Sequence, residues 1–190
     1  MKKILFLLIL LSCVRAEVAL LLGLTQGNAL QTLSGDVNQS QVSSLSLRPA
    51  YFVEVDSVDH PLFLANDMVV LGLGWLTETA HKDLMMDEKY VQLSIPVYAT
   101  YYLRYGIHSI GLGFSLNLMQ LRYRNHVSMQ GQQLGKHLFW RINGDNNYLE
   151  LGVMQLCAQG NYAEEDVVSF YDTTNFVLRY GFYLGGKNTL

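Results

Sequence analysis

Six charged residues stand at the polar parity of alternating runs: Arg48, Glu54, Arg104, Arg141, Glu150 and Arg179. Side chains on a β-strand alternate faces with period two, so each of these should turn away from the greasy face of its own run. Arg141, Glu150 and Arg179 lie on three successive runs and should meet at one level of a shared interior. Glu54 can reach them from the far side. A charge withdrawn from water must be paired, because isolated ionisation there costs several kcal/mol or more. The expected arrangement is an ion network of Glu54, Arg141, Glu150 and Arg179 centred on Glu150. Its structural use is a plug that fills the interior; its functional counterpart is a narrow ion path or gate.

His126-Val127-Ser128 is the one pattern that suggests covalent chemistry. Residues i and i+2 share a strand face, so His126 could activate the Ser128 hydroxyl, with Glu150 as the acidic partner. The pattern is only three residues long, and its plain reading is a polar loop tip. No other catalytic residue is singled out. His60, His81, His108 and His137 are scattered without ligand spacing, so no metal is expected. Of the two cysteines, Cys13 falls in the leader. Cys157 is then alone, cannot form an internal disulfide, and reads as a small apolar filler. No cofactor is expected.

Charge differs between the polar segments. Arg122, Arg124, His126, Lys136 and His137 make Gln120–His137 basic. Glu78, Asp83, Asp87 and Glu88 make an earlier segment acidic, and Glu164, Glu165, Asp166 and Asp172 do the same for the last one. Solvation or mutual pairing accounts for such charges. The sharper expectation is that Arg122, Arg124 and Lys136 contact phosphate groups of lipopolysaccharide.

The elements that must position these residues are strands. Tyr90–Leu103 sets the pattern. Val91, Leu93, Ile95, Val97, Ala99, Tyr101 and Leu103 form one greasy strip, and Gln92, Ser94, Pro96, Tyr98, Thr100 and Tyr102 lie opposite. The run is long for a soluble sheet and long enough to cross a bilayer at a tilt, which takes about 9–11 residues. The same alternation marks Glu17–Thr25, Leu45–Asp56 (with Pro49 tolerable only at a bulge or weak position), Asp67–Thr77, Ile107–Met119, His137–Asn143, Tyr148–Ala158 and Asn175–Leu184. Between them, Gln26–Ser44, Glu78–Lys89, Gln120–Lys136 and Gln159–Thr174 read as long connections, the third as a basic loop or a hairpin above the membrane. Ser57–Asn66, Arg104-Tyr105-Gly106 and Gly144-Asp145-Asn146-Asn147 read as short ones.

Met1-Lys2-Lys3, the apolar Ile4–Leu11 and Val14-Arg15-Ala16 read as a secretory signal cleaved after Ala16. A competing reading makes Leu10-Leu11-Ser12-Cys13 a lipoprotein box. Residues 1–16 are thus the expected signal peptide and 17–190 one domain. Without Lys2, Lys3 and Arg15 the chain keeps 10 basic residues of its 13 against 16 acidic ones. That balance does not favour nucleic acid as a partner. No stretch of about 18 apolar residues follows the leader, so no helical span is expected.

Eight alternating runs of even number, long and short connections in alternation, and outward aromatics near the strand ends are the pattern of a closed barrel in lipid. Trp75 and Phe176 fall near one rim; Tyr101, Trp140 and Phe182 fall near the other. Lipid offers no hydrogen bonds, so a sheet there must close on itself. Glycines at 23, 72, 74, 111, 113, 152 and 181 on the inner parity fit the crowded lumen of eight strands.

On these features residues 17–184 resemble the small eight-stranded outer-membrane β-barrels of the OmpA/OmpX type, a porin-like architecture. The fold class expected is all-β, an eight-stranded antiparallel up-and-down transmembrane barrel. The chain departs from that pattern at its end, where Gly-Gly-Lys-Asn-Thr-Leu follows the aromatic-rich last strand. The resemblance implies a bacterial outer-membrane location and a non-enzymatic envelope-structural or surface-interaction role through extracellular loops. The partners implied are outer-membrane lipid and lipopolysaccharide, with host or envelope proteins through the loops, and a monomeric state. Three alternatives remain at this stage. One is a narrow pore. Another is a hydrolase similar to the outer-membrane lipid A deacylases, although Met129 stands where that family has Asn. The third is a soluble lipocalin-like periplasmic barrel, which would turn the greasy face inward.

Overall fold

The structure is a computed structural model and describes residues 16–34, 39–44, 48–57, 67–80, 90–123, 126–161 and 168–184. The expected leader with Cys13, the Ser57–Asn66 connection beyond Ser57 and the tail after Leu184 lie outside the described residues. Nine strands form: β1 (Ala16–Ser34), β2 (Gln39–Ser44), β3 (Arg48–Ser57), β4 (Asp67–Ala80), β5 (Tyr90–Tyr105), β6 (His108–Tyr123), β7 (His126–Asn143), β8 (Asn147–Asn161) and β9 (Val168–Tyr183). All ladders are antiparallel, each strand pairs with its neighbours in order, and β1 also pairs β9. The sheet therefore closes.

β2 and β3 lie end to end along the same edge of β1, β3 against Ala16–Thr25 and β2 against Asn28–Leu33. Together they make one wall position, so the barrel has eight. Their registers on β1 differ by one residue, a bulge-like offset next to Pro49. The ladder from β3 to β4 begins only at Ala50, so the missing proline N–H costs no bond there. Pro96 is handled similarly: the β4–β5 ladder skips Gly74 and Trp75 between Leu73↔Val97 and Leu76↔Ser94.

The strands are longer than the alternating patterns. β1 continues through residues read as a loop from Gln26, β8 and β9 take up both ends of Gln159–Thr174, and β4 includes Glu78–Ala80. Gln120–Lys136 is a hairpin, β6 into β7, with a register shift between Leu121 and Arg122. The polar composition of these segments marks them as wetted, not as irregular.

The short turns cluster at the opposite end. Gly106 takes φ 59°, the left-handed conformation that a two-residue hairpin needs and glycine adopts at little cost. Following the register from Phe182 through Leu20, Val53, Leu73, Val97 and Leu116 leads to Leu134 on β7. In the other direction Phe182 pairs with Asn147, whose carbonyl accepts the Gly144 N–H. Gly144 lies about ten residues below Leu134, a stagger that tilts eight strands by about 40°.

The polarity is inside out. Leu22, Leu73, Leu112, Phe114, Leu151, Phe176 and Leu178 are exposed on the outer surface, Phe114 by 72%. Arg141, Arg179, Glu54, Glu150, Asp56, Asn117 and Ser94 are buried inside. A water-soluble barrel would reverse both sets, so the lipocalin-like alternative is overturned.

Candidate functional site

The lower lumen, next to the short turns, holds a closed cluster of charges. The pairs Arg141↔Glu150 and Glu150↔Arg179 are direct register neighbours on β7, β8 and β9, and Glu54 enters from β3 opposite. One guanidinium joins three carboxylates. Arg141 Nε donates to Glu150 Oε2 at 2.8 Å, Nη1 to Asp56 Oδ2 at 2.8 Å and Nη2 to Glu54 Oε2 at 2.7 Å. Arg179 joins two: Nε donates to Glu150 Oε1 at 2.9 Å, and Nη2 lies 2.8 Å from Glu54 Oε1. All five side chains have 0% exposure in these ion pairs.

Four tyrosines donate to the carboxylates, leaving Asp56 Oδ1 without a hydrogen bond. Tyr98 donates to Glu54 Oε1 at 2.6 Å, Tyr148 to Glu54 Oε2 at 2.7 Å, Tyr102 to Glu150 Oε2 at 2.9 Å and Tyr183 to Asp56 Oδ2 at 2.8 Å. Aromatic faces cover the cations. The Arg141 guanidinium carbon lies 3.9 Å from the Tyr148 ring centroid and 4.4 Å from that of Tyr102. That of Arg179 lies 4.2 Å from Phe139 and 4.7 Å from Phe52. Delocalised, weakly hydrated guanidinium tolerates such a setting better than an ammonium would.

Three of these tyrosines lean over a glycine on the strand alongside. Tyr98, Tyr102 and Tyr148 are the direct register partners of Gly72, Gly111 and Gly181. A Cβ at those glycines would sit 2.1, 2.4 and 2.3 Å from the rings. The glycines leave room for rings to lie flat against the wall while their hydroxyls reach the centre.

The sequence pattern named Glu54, Arg141, Glu150 and Arg179 but not Asp56 or the tyrosines. Asp56 shares the parity of Glu54 one step further along β3, which was a readable sign. Arg48 and Arg104, expected inside, are respectively exposed at the far end of β3 and half-buried beside the β5–β6 turn.

Above the cluster the lumen is still filled. His137 packs at 5.0 Å from Phe139 and 5.6 Å from Tyr98, centroid to centroid, and its Nε2 lies 2.7 Å from Thr100 Oγ1. Ser94, Ser115, Asn117, Leu76, Met154 and Leu156 are buried at or above this level. Among the described residues no cluster of ligands suited to a metal occurs.

The residues of the hydrolase alternative are far apart. His126 pairs with Tyr123 at the hairpin tip, whereas Glu150 pairs with Arg141. The intervening length of β7 is about 50 Å of extended strand. Glu150 is instead committed to two arginines and Tyr102. Of the proposed lipopolysaccharide contacts, Lys136 is exposed on β7 opposite Phe114. Arg124 and the Arg122 side chain lie outside the described residues, as do the side chains of His126 and Ser128.

No family model matches the sequence, and no curated protein matches it. Solved structures do. The outer-membrane protein AlkL, studied in DMPC lipid bilayers, aligns with a TM-score of 0.52 at 10% identity, over 92% of this chain and 93% of its own. Neisserial surface protein A aligns with a TM-score of 0.41 at 14% identity, over 83% and 96%. Ail, the attachment invasion locus protein of Yersinia pestis, solved with the heparin analogue sucrose octasulfate, aligns with a TM-score of 0.37 at 9% identity, over 86% and 98%. The chain is an eight-stranded outer-membrane β-barrel. Its own surface carries that conclusion beyond the likeness of fold: among the described residues the apolar belt faces outward, the charges face inward, and the sheet closes through β1 and β9. The bacterial outer membrane is where such barrels reside.

Proposed function

We propose that this barrel is a non-enzymatic, non-conducting anchor in the outer membrane that presents extended strands to partners outside it. The sealed lumen carries the reading. Arg141 and Arg179 tie β7 and β9 to Glu54 on β3 across the interior, and both guanidinium groups are buried. A hydrated ion would have to part these pairs to pass.

What is left to act is the part beyond the membrane. β1 continues eight residues past Gln26, β8 runs on to Asn161, and the β6–β7 hairpin reaches Tyr123. At about 3.3 Å per residue and a 40° tilt, these extensions rise roughly 20 Å above the belt. Among the described residues, β2 and the upper part of β4 have no ladder partner on their outer sides, whereas β7 and β8 stay side by side. Open strand edges favour recognition of an extended segment of an envelope or host protein by strand addition. Outer-membrane lipid and lipopolysaccharide are the other expected contacts, and the barrel acts as a monomer.

Planar-bilayer recording of the purified protein tests the seal. The expected result is no stepwise conductance for the wild type and the appearance of small steps in Arg179→Ala. Reproducible steps in the wild type would reject the anchor reading in favour of a narrow pore. Protease shaving of intact cells tests the orientation, with cleavage expected in the long extensions and not at Gly106 or Gly144.

A further inference from the structure

As the β3–β4 seam does at Ala50↔Leu76, the β7–β8 seam loses its ladder short of the ends of both strands. Its ladder rises from Asn143↔Tyr148 to His137↔Met154 and stops, although β7 and β8 both continue upward. Above that point β7 is held by β6 and β8 by β9. At the junction a Cβ on Gly135 would lie 2.0 Å from the Gln155 carbonyl oxygen. That oxygen accepts from Asn117 Nδ2 of β6 at 3.4 Å, a bond that reaches past the intervening strand. A side chain thus replaces a ladder bond where β7 and β8 lose their register while staying side by side.

A cleft of about 570 Å³ opens at this seam. Phe114, Leu138 and Val153 line its apolar part, and Lys136, Gln155 and Thr174 line its polar part. The polar three form one level. Leu138, Val153 and Phe176 are register neighbours on β7, β8 and β9. Two residues further up, the outward positions of the same strands are Lys136, Gln155 and Thr174. The apolar rows of β8 and β9 therefore end just above the aromatic Phe176, while β7 carries Leu134 beyond Lys136 and β6 carries Leu116 and Leu118. The cleft lies at the upper end of the apolar rows of β8 and β9, on the side of the long extensions. Lys136 is exposed and has no ion-pair partner among the described residues. A lysine on the lipid face is costly unless its ammonium reaches an anionic headgroup.

We propose that this seam is a binding site for the lipid A portion of lipopolysaccharide. One acyl chain lies against Phe114, Leu138 and Val153, and a phosphate meets the Lys136 ammonium with Gln155 and Thr174 beside it. Charge complementarity selects this occupant: the site sets the exposed Lys136 ammonium beside the outward apolar side chains of Phe114, Leu138 and Val153. A second outer groove of about 510 Å³, lined by Leu93, Ile95, Leu118 and Gln132 among others, has no charged residue in its lining and supplies the contrast. The inference rests on the outward orientation of the extensions, which the protease experiment reads separately.

Native mass spectrometry of the detergent-purified protein with bisphosphorylated lipid A tests it. The wild type is expected to retain one lipid A, with phosphatidylglycerol competing poorly. Lys136→Gln should weaken retention about tenfold, as loss of a charge-assisted contact does, while Lys136→Arg keeps it. Val153→Trp should block the slot; if that variant does not give a folded, heat-modifiable band, Thr174→Trp fills it from an exposed position. No retention by the wild type, equal retention by Lys136→Gln, equal loss in Lys136→Arg, unaltered retention by a folded tryptophan variant, or phosphatidylglycerol bound as tightly as lipid A would each overturn the assignment.

Discussion

Arg141 Nη2 and Glu54 Oε2 meet at 2.7 Å although the two residues are 87 positions apart in the chain. The pair bridges β7 and β3, which are not neighbours in the wall, so it fixes the barrel across its diameter. Removing the cation leaves three buried carboxylates facing one another. Arg141→Met should therefore lower stability by about 3–5 kcal/mol. Glu54→Leu added to Arg141→Met should restore part of that loss, because it removes a stranded charge. Urea unfolding in lipid vesicles, followed by tryptophan fluorescence, reads both. Equal stability of wild type and Arg141→Met would mean the cluster is hydrated and not a plug.

Gly111→Ala probes the way the tyrosines are seated. The new Cβ would lie 2.4 Å from Tyr102 Cε1, so the ring must move, and with it the hydroxyl that donates to Glu150. Overpacking of this kind costs about 1–3 kcal/mol. Gly106→Ala gives the contrast: no atom lies within 4 Å, and only the left-handed φ of 59° is at stake. The expected loss there is about 1 kcal/mol. The ranking of the two variants in the same unfolding assay distinguishes crowding in the lumen from turn geometry.

Leu151→Arg tests which side meets lipid. Leu151 is 48% exposed and flanked in register by Trp140 and Leu178 in the middle of the apolar belt. At an exposed site in water this change would cost almost nothing. Facing hydrocarbon it should cost about 2–4 kcal/mol. Unchanged folding yield into vesicles would contradict the membrane-facing belt.

The parity of apolar and polar residues made the eight wall positions and their two faces legible, because strand alternation and burial obey the same period. It placed Glu54, Arg141, Glu150 and Arg179 on the inner face. Asp56 stands on the same parity at the end of the run Leu45–Asp56, so the alternation also carried it inward, although it was not named with them. The lengths of β1, β7, β8 and β9 were not legible either. Beyond the membrane both strand faces are wet, so Gln26–Ser34 and His126–Lys136 lose the alternation while keeping their ladder bonds. The stopped β7–β8 ladder has no local signature at all, because it depends on where two strands 18 and 15 residues long lose their register.

The last test concerns His126 and Ser128. A hydrolase needs the acid that orients the imidazole within hydrogen-bond reach. Glu150, the candidate for that place, is held in the lower lumen by Arg141 Nε at 2.8 Å and Arg179 Nε at 2.9 Å. His126 pairs with Tyr123 at the opposite end of β7. His126→Ala and Ser128→Ala should therefore leave the acylation of lipid A unchanged in cells that express the barrel, as judged by mass spectrometry of extracted lipid A. Loss of an acyl chain that depends on either residue would reinstate an enzyme, with an acidic partner other than Glu150.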